Sequence, residues 1–223
     1  MSAAAARSAR RLIAVGARLA EVPFVPEIRL HQADEPFSVW ERTEKAAGRE
    51  GLPPPFWAFA WAGGQALARH ILDNPALVAG CRVLDVASGS GLLAIAAARS
   101  GASLVMAADV DELAVAAIIA NAAANRVHVM PLLADLLDGD APAADVILCG
   151  DAFYEQELAE RMLAFGTRAR ARGTRVLLGD PGRAFLPARG LTPVATYEVP
   201  VTRALEGMTA KKATVYEVAE AGC

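Results

Sequence analysis

Residues 83–91, Val-Leu-Asp-Val-Ala-Ser-Gly-Ser-Gly, read as a buried strand that runs into a glycine turn and out into a helix. Val83, Leu84 and Val86 have strand character, and Gly89 and Gly91 let the backbone turn tightly and approach a ligand. Residues 92–98, Leu-Leu-Ala-Ile-Ala-Ala-Ala, then continue as good helix formers. A strand, a glycine turn and a helix in that order open a βαβ unit, and the pattern repeats from Arg82 onward. Strands are expected at 82–86, 104–109, 127–132, 145–150 and 175–179, with helices at 91–99, 112–124 and 156–172. Such alternation means right-handed crossovers and a parallel sheet covered on both faces. The chain ends differently: residues 192–199 and 212–218 are β-rich with no long helix between them, which fits an antiparallel hairpin at the sheet edge.

With 223 residues the chain is long enough for one α/β domain and too short for two substantial domains plus linkers. We therefore expect a single domain over 1–223, with 1–70 as an N-terminal extension and 82–218 as the ligand-binding sheet. The formal charge of −3 and the scattered arginines leave no basic stripe for nucleic acid. Apolar runs such as 113–120 fall far short of the roughly 18 residues a bilayer demands, so no membrane partner is expected. Cys81, Cys149 and Cys223 are far apart and lack a neighbouring histidine cluster, which indicates neither disulfides nor a metal site and fits a reducing compartment. The Arg- and Ala-rich start has the composition of a transit peptide, but that bias pervades the chain, whose only lysines are Lys45, Lys211 and Lys212. An N-terminal helix carrying Leu12, Ile13, Val15 and Leu19 is the reading favoured here, followed by an extended segment over 23–36 and a short helix over 37–47.

In an open parallel sheet, ligands sit beyond the carboxyl ends of the strands, so acids at those ends are the informative residues. Asp85 ends the first strand, Asp109 the second, Asp135 follows the third and Asp151 the fourth. The turn 89–94 also satisfies the dinucleotide pattern G-x-G-x-x-G/A. Asp85 argues against that ligand, because a pyrophosphate wants bare helix N-terminal amides and a carboxylate nearby repels it. A cationic ligand reverses the preference. Asp111 fits an N-cap of the following helix, and Asp151 could cap the helix after it. Residues 151–154, Asp-Ala-Phe-Tyr, place an acid and an aromatic side by side after a hydrophobic strand. A carboxylate can orient an amine there, while an aromatic wall faces a cation and excludes water. His31, His70 and His128 have no partner acid or serine at suggestive spacing and read as structural.

Residues 85–91 resemble motif I of the class I S-adenosylmethionine-dependent methyltransferases, an acid followed by G-x-G-x-G, with Ala87 standing where the first glycine is usual. Residues 151–154 resemble the D/E-x-x-Y/F motif of the seven-stranded protein lysine methyltransferases, and 61–64, Trp-Ala-Gly-Gly, resembles their W-P-G/S-like segment. Together with 26–31, 55–59 and 179–183, these runs are similar to the electron transfer flavoprotein β-subunit lysine methyltransferases and their bacterial homologues. The resemblance implies the seven-stranded Rossmann-like fold, S-adenosylmethionine as cofactor and transfer to lysine side chains of a protein. It implies that Trp61, Gly63, Asp85, Ala87, Gly89, Gly91, Asp109 and Asp135 are on the cofactor side, Asp109 at the ribose hydroxyls and Asp135 at the adenine amino group. Asp151 and Tyr154 would act at the amine. The implied partner is the flavoprotein β subunit, acted on by a monomer in the bacterial cytoplasm, or in the mitochondrial matrix of a eukaryote. Two alternatives belong beside it: a methyltransferase of ribosomal protein lysines (L11 or L7/L12), and an NAD-dependent dehydrogenase, since Asp109 lies 109 − 91 = 18 residues after Gly91. A non-enzymatic partner-binding protein on the same fold is a further rival, opposed by retention of Asp85, Gly89, Gly91, Asp109 and Asp151.

Overall fold

The computed structural model describes residues 17–48 and 50–219. Two strands, β1 (Arg18–Val22) and β2 (Val25–Gln32), form an antiparallel hairpin ahead of the main sheet. Helix α1 (Pro36–Ala47) follows, then a 3₁₀ turn at Phe56–Ala58 and helix α2 (Ala62–Asp73). The alternating region comprises β3 (Arg82–Val86), α3 (Leu92–Arg99), β4 (Leu104–Asp109), α4 (Glu112–Ala124), β5 (Met130–Leu133), β6 (Val146–Gly150), α5 (Gln156–Ala171) and β7 (Arg175–Asp180). The chain finishes with β8 (Leu191–Pro200), a single helical turn α6 (Arg203–Glu206) and β9 (Ala210–Val218). The seven-stranded sheet has the order β5-β4-β3-β6-β7-β9-β8, parallel except for β9, which is antiparallel to both of its neighbours.

Alternate residues of each central strand feed opposite faces of the sheet. Val83, Val105 and Leu177 join Leu67, Ile71 and Ile95 on one side, while Leu84, Ile147 and Leu178 join Met162 and Phe165 on the other. Two buried faces require near-continuous apolar strands, and Val-Ile-Leu-Cys of β6 is such a run. At about 25 cal/mol per Å² of apolar area removed from water, these layers supply the main drive for folding. From β3 the chain crosses to β4 on one side, and from β6 to β7 on the other. The order therefore reverses between β3 and β6, and a crevice opens at their carboxyl ends.

The N-terminal helix expected to carry Leu19 is corrected: residues 18–22 form β1, and 1–16 lie outside the described residues. The pairing with β2 is what overrides helical propensity, because it lets Val22, Val25, Ile28 and Leu30 bury completely. Edge amides of this hairpin are taken up by the main body. Asn121 on α4, fully buried, accepts the His31 amide at 2.8 Å, Asn125 accepts that of Arg29 at 3.0 Å, and Gln65 on α2 accepts that of Phe24 at 3.0 Å. The strand expected from 127 starts later, at Met130. No helix among the described residues is long and apolar enough to cross a membrane.

Candidate active site

A cavity of about 600 Å³ opens at the carboxyl ends of β3, β4 and β6. Its floor is the turn after β3. Ala87 (φ 52°), Gly89 (φ 53°) and Gly91 (φ 83°) all adopt left-handed backbone, so the chain doubles back within five residues before α3 begins. Ala87 bears the cost usually spared by glycine, on the order of 1 kcal/mol. Gly91 is needed for contact as well as conformation: a Cβ there would stand 3.3 Å from the Ile118 Cα.

Asp85 is buried, and one of its oxygens, Oδ2, accepts both the Ser88 hydroxyl (2.6 Å) and the Ala94 amide (3.1 Å). Burial pushes its carboxyl up to about 7, against these two hydrogen bonds. Asp85 therefore organises the turn and the first turn of α3, while also forming part of the cavity wall. Asp109 accepts the Gly89 amide on Oδ2 (2.8 Å) and the Asp111 amide on Oδ1 (3.0 Å), and burial raises its pKa. A carboxylate oxygen has two lone pairs, so each retains capacity for a ligand hydroxyl. Asp111 caps α4 by accepting the Leu113 amide at 2.8 Å. Asp135 pairs with Arg161 at 2.8 Å, and that hydrogen bond holds its carboxyl below the usual range.

Asp151 does not cap the helix after β6. That position belongs to Glu155, and Asp151 itself sits in left-handed backbone at φ 57°. Its Oδ2 accepts the Gly64 amide at the start of α2 (2.7 Å), and its Oδ1 pairs with Arg183 (2.8 Å). Burial lifts its pKa to about 6 despite the guanidinium. The Arg183 guanidinium lies 5.3 Å from the centroid of the Trp61 ring. Tyr154 is 44% exposed and packs on Phe56, itself 42% exposed, with ring centroids 5.3 Å apart, so two aromatic faces stay open to a ligand.

The cavity thus brings together eight of the sequence-derived residues: Trp61, Asp85, Ala87, Gly89, Asp109, Asp135, Asp151 and Tyr154. Gly91 supports the turn from behind. Gly63 does not line the cavity; it lies where α2 crosses β7, and a methyl group there would overlap the Gly179 carbonyl. No sequence signal pointed to Arg161, and Arg183 stood only within the run 179–183. Both reach acids distant in sequence, a tertiary pairing with no local signature.

Among the described residues, seven acids line the cavity (Asp85, Asp109, Asp111, Asp135, Asp151, Glu155 and Glu157) against two arginines, both already paired with carboxylates. This wall repels a pyrophosphate and suits a ligand carrying a sulfonium and an ammonium. The buried indole N–H of Trp57, on the same wall, has no acceptor within the protein. An adenosyl ligand could supply one, and S-adenosylmethionine fits this donor and acceptor set.

The sheet order and the acids at its strand ends define the class I methyltransferase fold. The solved magnesium protoporphyrin IX methyltransferase of Synechocystis PCC 6803, with S-adenosylmethionine bound, matches with a TM-score of 0.52 and 20% identity, covering 70% of this chain and 79% of that one. A family model described as ribosomal protein L11 methyltransferase (PrmA) matches residues 66–150. Electron transfer flavoprotein beta subunit lysine methyltransferase of Xenopus laevis is 40% identical over 186 residues, covering 79% of this chain and 73% of the relative. The Mus musculus protein of the same name is 47% identical over 131 residues, 58% of this chain and 51% of the relative. The chain belongs to the electron transfer flavoprotein beta subunit lysine methyltransferase family. It spans about half the length of several curated relatives it matches, 51% to 54% for the mouse, rat, zebrafish and human proteins.

Proposed function

We propose that this chain is an S-adenosylmethionine-dependent protein N-lysine methyltransferase that modifies the electron transfer flavoprotein β subunit. The observation that carries the reading is the acid-lined cavity, whose wall brings together Asp151, the exposed Tyr154 and the glycine turn. S-adenosylmethionine would supply a methyl group on a sulfonium, so that the amine lone pair would form the N–C bond as the C–S bond breaks and its electron pair stays on sulfur. Asp109 would hold the ribose hydroxyls, Asp135 the adenine amino group, and Trp61 with the turn 87–89 the rest of the ligand. Asp151 would receive the substrate lysine and align it, with Tyr154 and Phe56 excluding water around the reacting groups. A lysine with a pKa near 10.4 in water must arrive neutral, and entry between aromatic rings favours that form. The proton leaves to water at the open mouth.

A second reading, methylation of ribosomal protein L11, has the family-model match over 66–150 in its favour. That match covers the cofactor half of the sheet, which is common to both substrates. The two separate when purified flavoprotein β subunit and purified L11 are incubated in parallel with the enzyme and labelled S-adenosylmethionine. Label on the flavoprotein subunit supports the first reading, label on L11 alone supports the second, and label on neither rejects both. The proposed site of action is the compartment that holds the flavoprotein, the cytoplasm in bacteria and the mitochondrial matrix in eukaryotes, with one protomer acting alone.

A further inference from the structure

Arg183 is held at both ends. Its own amide and that of Gly182 donate to Asp180 Oδ1, each at 2.7 Å. Its guanidinium bridges Asp151 Oδ1 (2.8 Å) and Glu206 Oε1 (3.0 Å), and Glu206 in turn pairs with Lys211 (2.7 Å). These charges are largely removed from water, with side-chain exposures of 17% for Arg183, 6% for Asp151 and 3% for Glu206. A chain of alternating charge thus runs from the cavity wall to α6, the connection between β8 and β9.

Resting on the methyltransferase reading above, we propose that Arg183 is a positioning residue for the amine that is methylated: clamped between Asp151 and Glu206 beside Trp61, it fixes the direction of the Asp151 carboxylate and sets a positive charge beside the amine. The physical need is specific. An unpaired carboxylate would bind the lysine as an ammonium, which has no lone pair. A carboxylate whose charge is balanced by a fixed guanidinium can still accept one N–H of the neutral amine, while the nearby cation disfavours the protonated form. Arginine suits this because its planar fork serves two carboxylates at once and stays charged. Other ionisable groups near Asp151 are Asp180 at the end of β7 and the buried Cys149 thiol on β6. Helix α2 presents only the Gly64 amide to it. Asp180 and the thiol do not balance the carboxylate's charge, which leaves Arg183 as the cation against it.

The test titrates the Asp151 carboxyl by NMR on ¹³C-labelled protein without substrate, in the wild type, Arg183→Gln, Arg183→Lys and Glu206→Gln, with folding checked by melting temperature. Arg183→Gln should move the Asp151 titration upward by about 1–3 pH units, and Arg183→Lys should leave it near the wild-type position. Glu206→Gln should move it downward, because the guanidinium then acts on Asp151 alone; this opposite sign decides the matter if Arg183→Gln does not fold. With substrate, Arg183→Gln should lose turnover by about 10- to 100-fold and shift the rise of kcat/KM to higher pH, with partial rescue by Arg183→Lys. An Asp151 titration that stays put in folded Arg183→Gln, or in Glu206→Gln, overturns the proposal. Absence of label transfer by the wild type would reject the methyltransferase reading instead, and the titration is read independently of it.

Discussion

At the scale of single residues, the buried acids make stability and function depend on pH in a defined direction. Asp85 and Asp151 have pKa values raised by burial from 3.8 to about 7 and about 6. The folded state therefore holds more protons than the unfolded chain between those values. This contribution is fully present below 3.8 and is lost as pH climbs through about 6 and about 7. Asp135 and Asp145, both held low by arginine partners, have the opposite sign and act only at more acid pH, while His70, whose pKa burial lowers from 6.5, opposes the fall up to that pH and is common to wild type and variant. Melting temperature should fall as pH rises from about 5 to 7.5, and Asp85→Asn should flatten that fall, because the loss amounts to about 1.4 kcal/mol per unit of pKa displacement. The asparagine keeps the hydrogen bonds, since both partners of Asp85 use one oxygen. An Asp85→Asn profile parallel to the wild type would show that Asp85 is not the group responsible. Asp109→Ala should weaken S-adenosylmethionine binding by about 1–3 kcal/mol in calorimetry, because it leaves the Gly89 and Asp111 amides unpaired as well as the ligand hydroxyls. Tight NAD binding, with no S-adenosylmethionine binding, would contradict the ligand assignment.

At the scale of elements, the crossing of α2 over β7 sets where the site sits. Gly63 and Gly179 touch backbone to backbone, and this closeness brings the α2 N-terminus to Asp151. Helix propensity alone predicts that Gly63→Ala stabilises by about 1 kcal/mol. The contact predicts the reverse, a loss of about 1–3 kcal/mol or more, since the new methyl overlaps the Gly179 carbonyl and stands 2.7 Å from the Asp151 Oδ2. The neighbouring Gly64→Ala is the control: its nearest contacts, Leu92 at 3.8 Å and Asp151 at 3.9 Å, are ordinary, so it should be tolerated. Equal melting temperatures for the two variants would refute this account of the crossing. The parallel strands and helices were legible in sequence because each has its own period and turn residues, as β3, β4 and α4 show. Of the β1–β2 hairpin, β2 was legible within the extended segment over 23–36, whereas β1 was not, because Leu19 and its neighbours carry no strong local preference and take their conformation from pairing with β2, whose Arg29 and His31 amides are held by Asn125 and Asn121.

At the scale of the molecule, the sheet order places β3 and β6 side by side with their loops leaving in opposite directions, and the acids of both ends share one cavity. Those acids were legible because each directly ends or follows an apolar strand. What occupies them was not: that Arg183 holds Asp151, and Arg161 holds Asp135, depends on contacts 32 and 26 residues apart in sequence. A net charge of −3 spread over the chain likewise hides a wall of seven acids and two arginines in one pocket. That asymmetry separates a cationic methyl donor and an amine acceptor from a dinucleotide. The most direct measurement is methyl transfer to the purified electron transfer flavoprotein β subunit at saturating S-adenosylmethionine, read by mass spectrometry as methyl increments on lysine, for wild type, Asp151→Asn and Tyr154→Ala. The wild type should transfer methyl groups, Asp151→Asn should lose about 100-fold or more in kcat, Tyr154→Ala should lose less, and cofactor affinity should stay within about twofold in both. Near-normal turnover in Asp151→Asn, or transfer to a small molecule and to no protein, would contradict the proposed function.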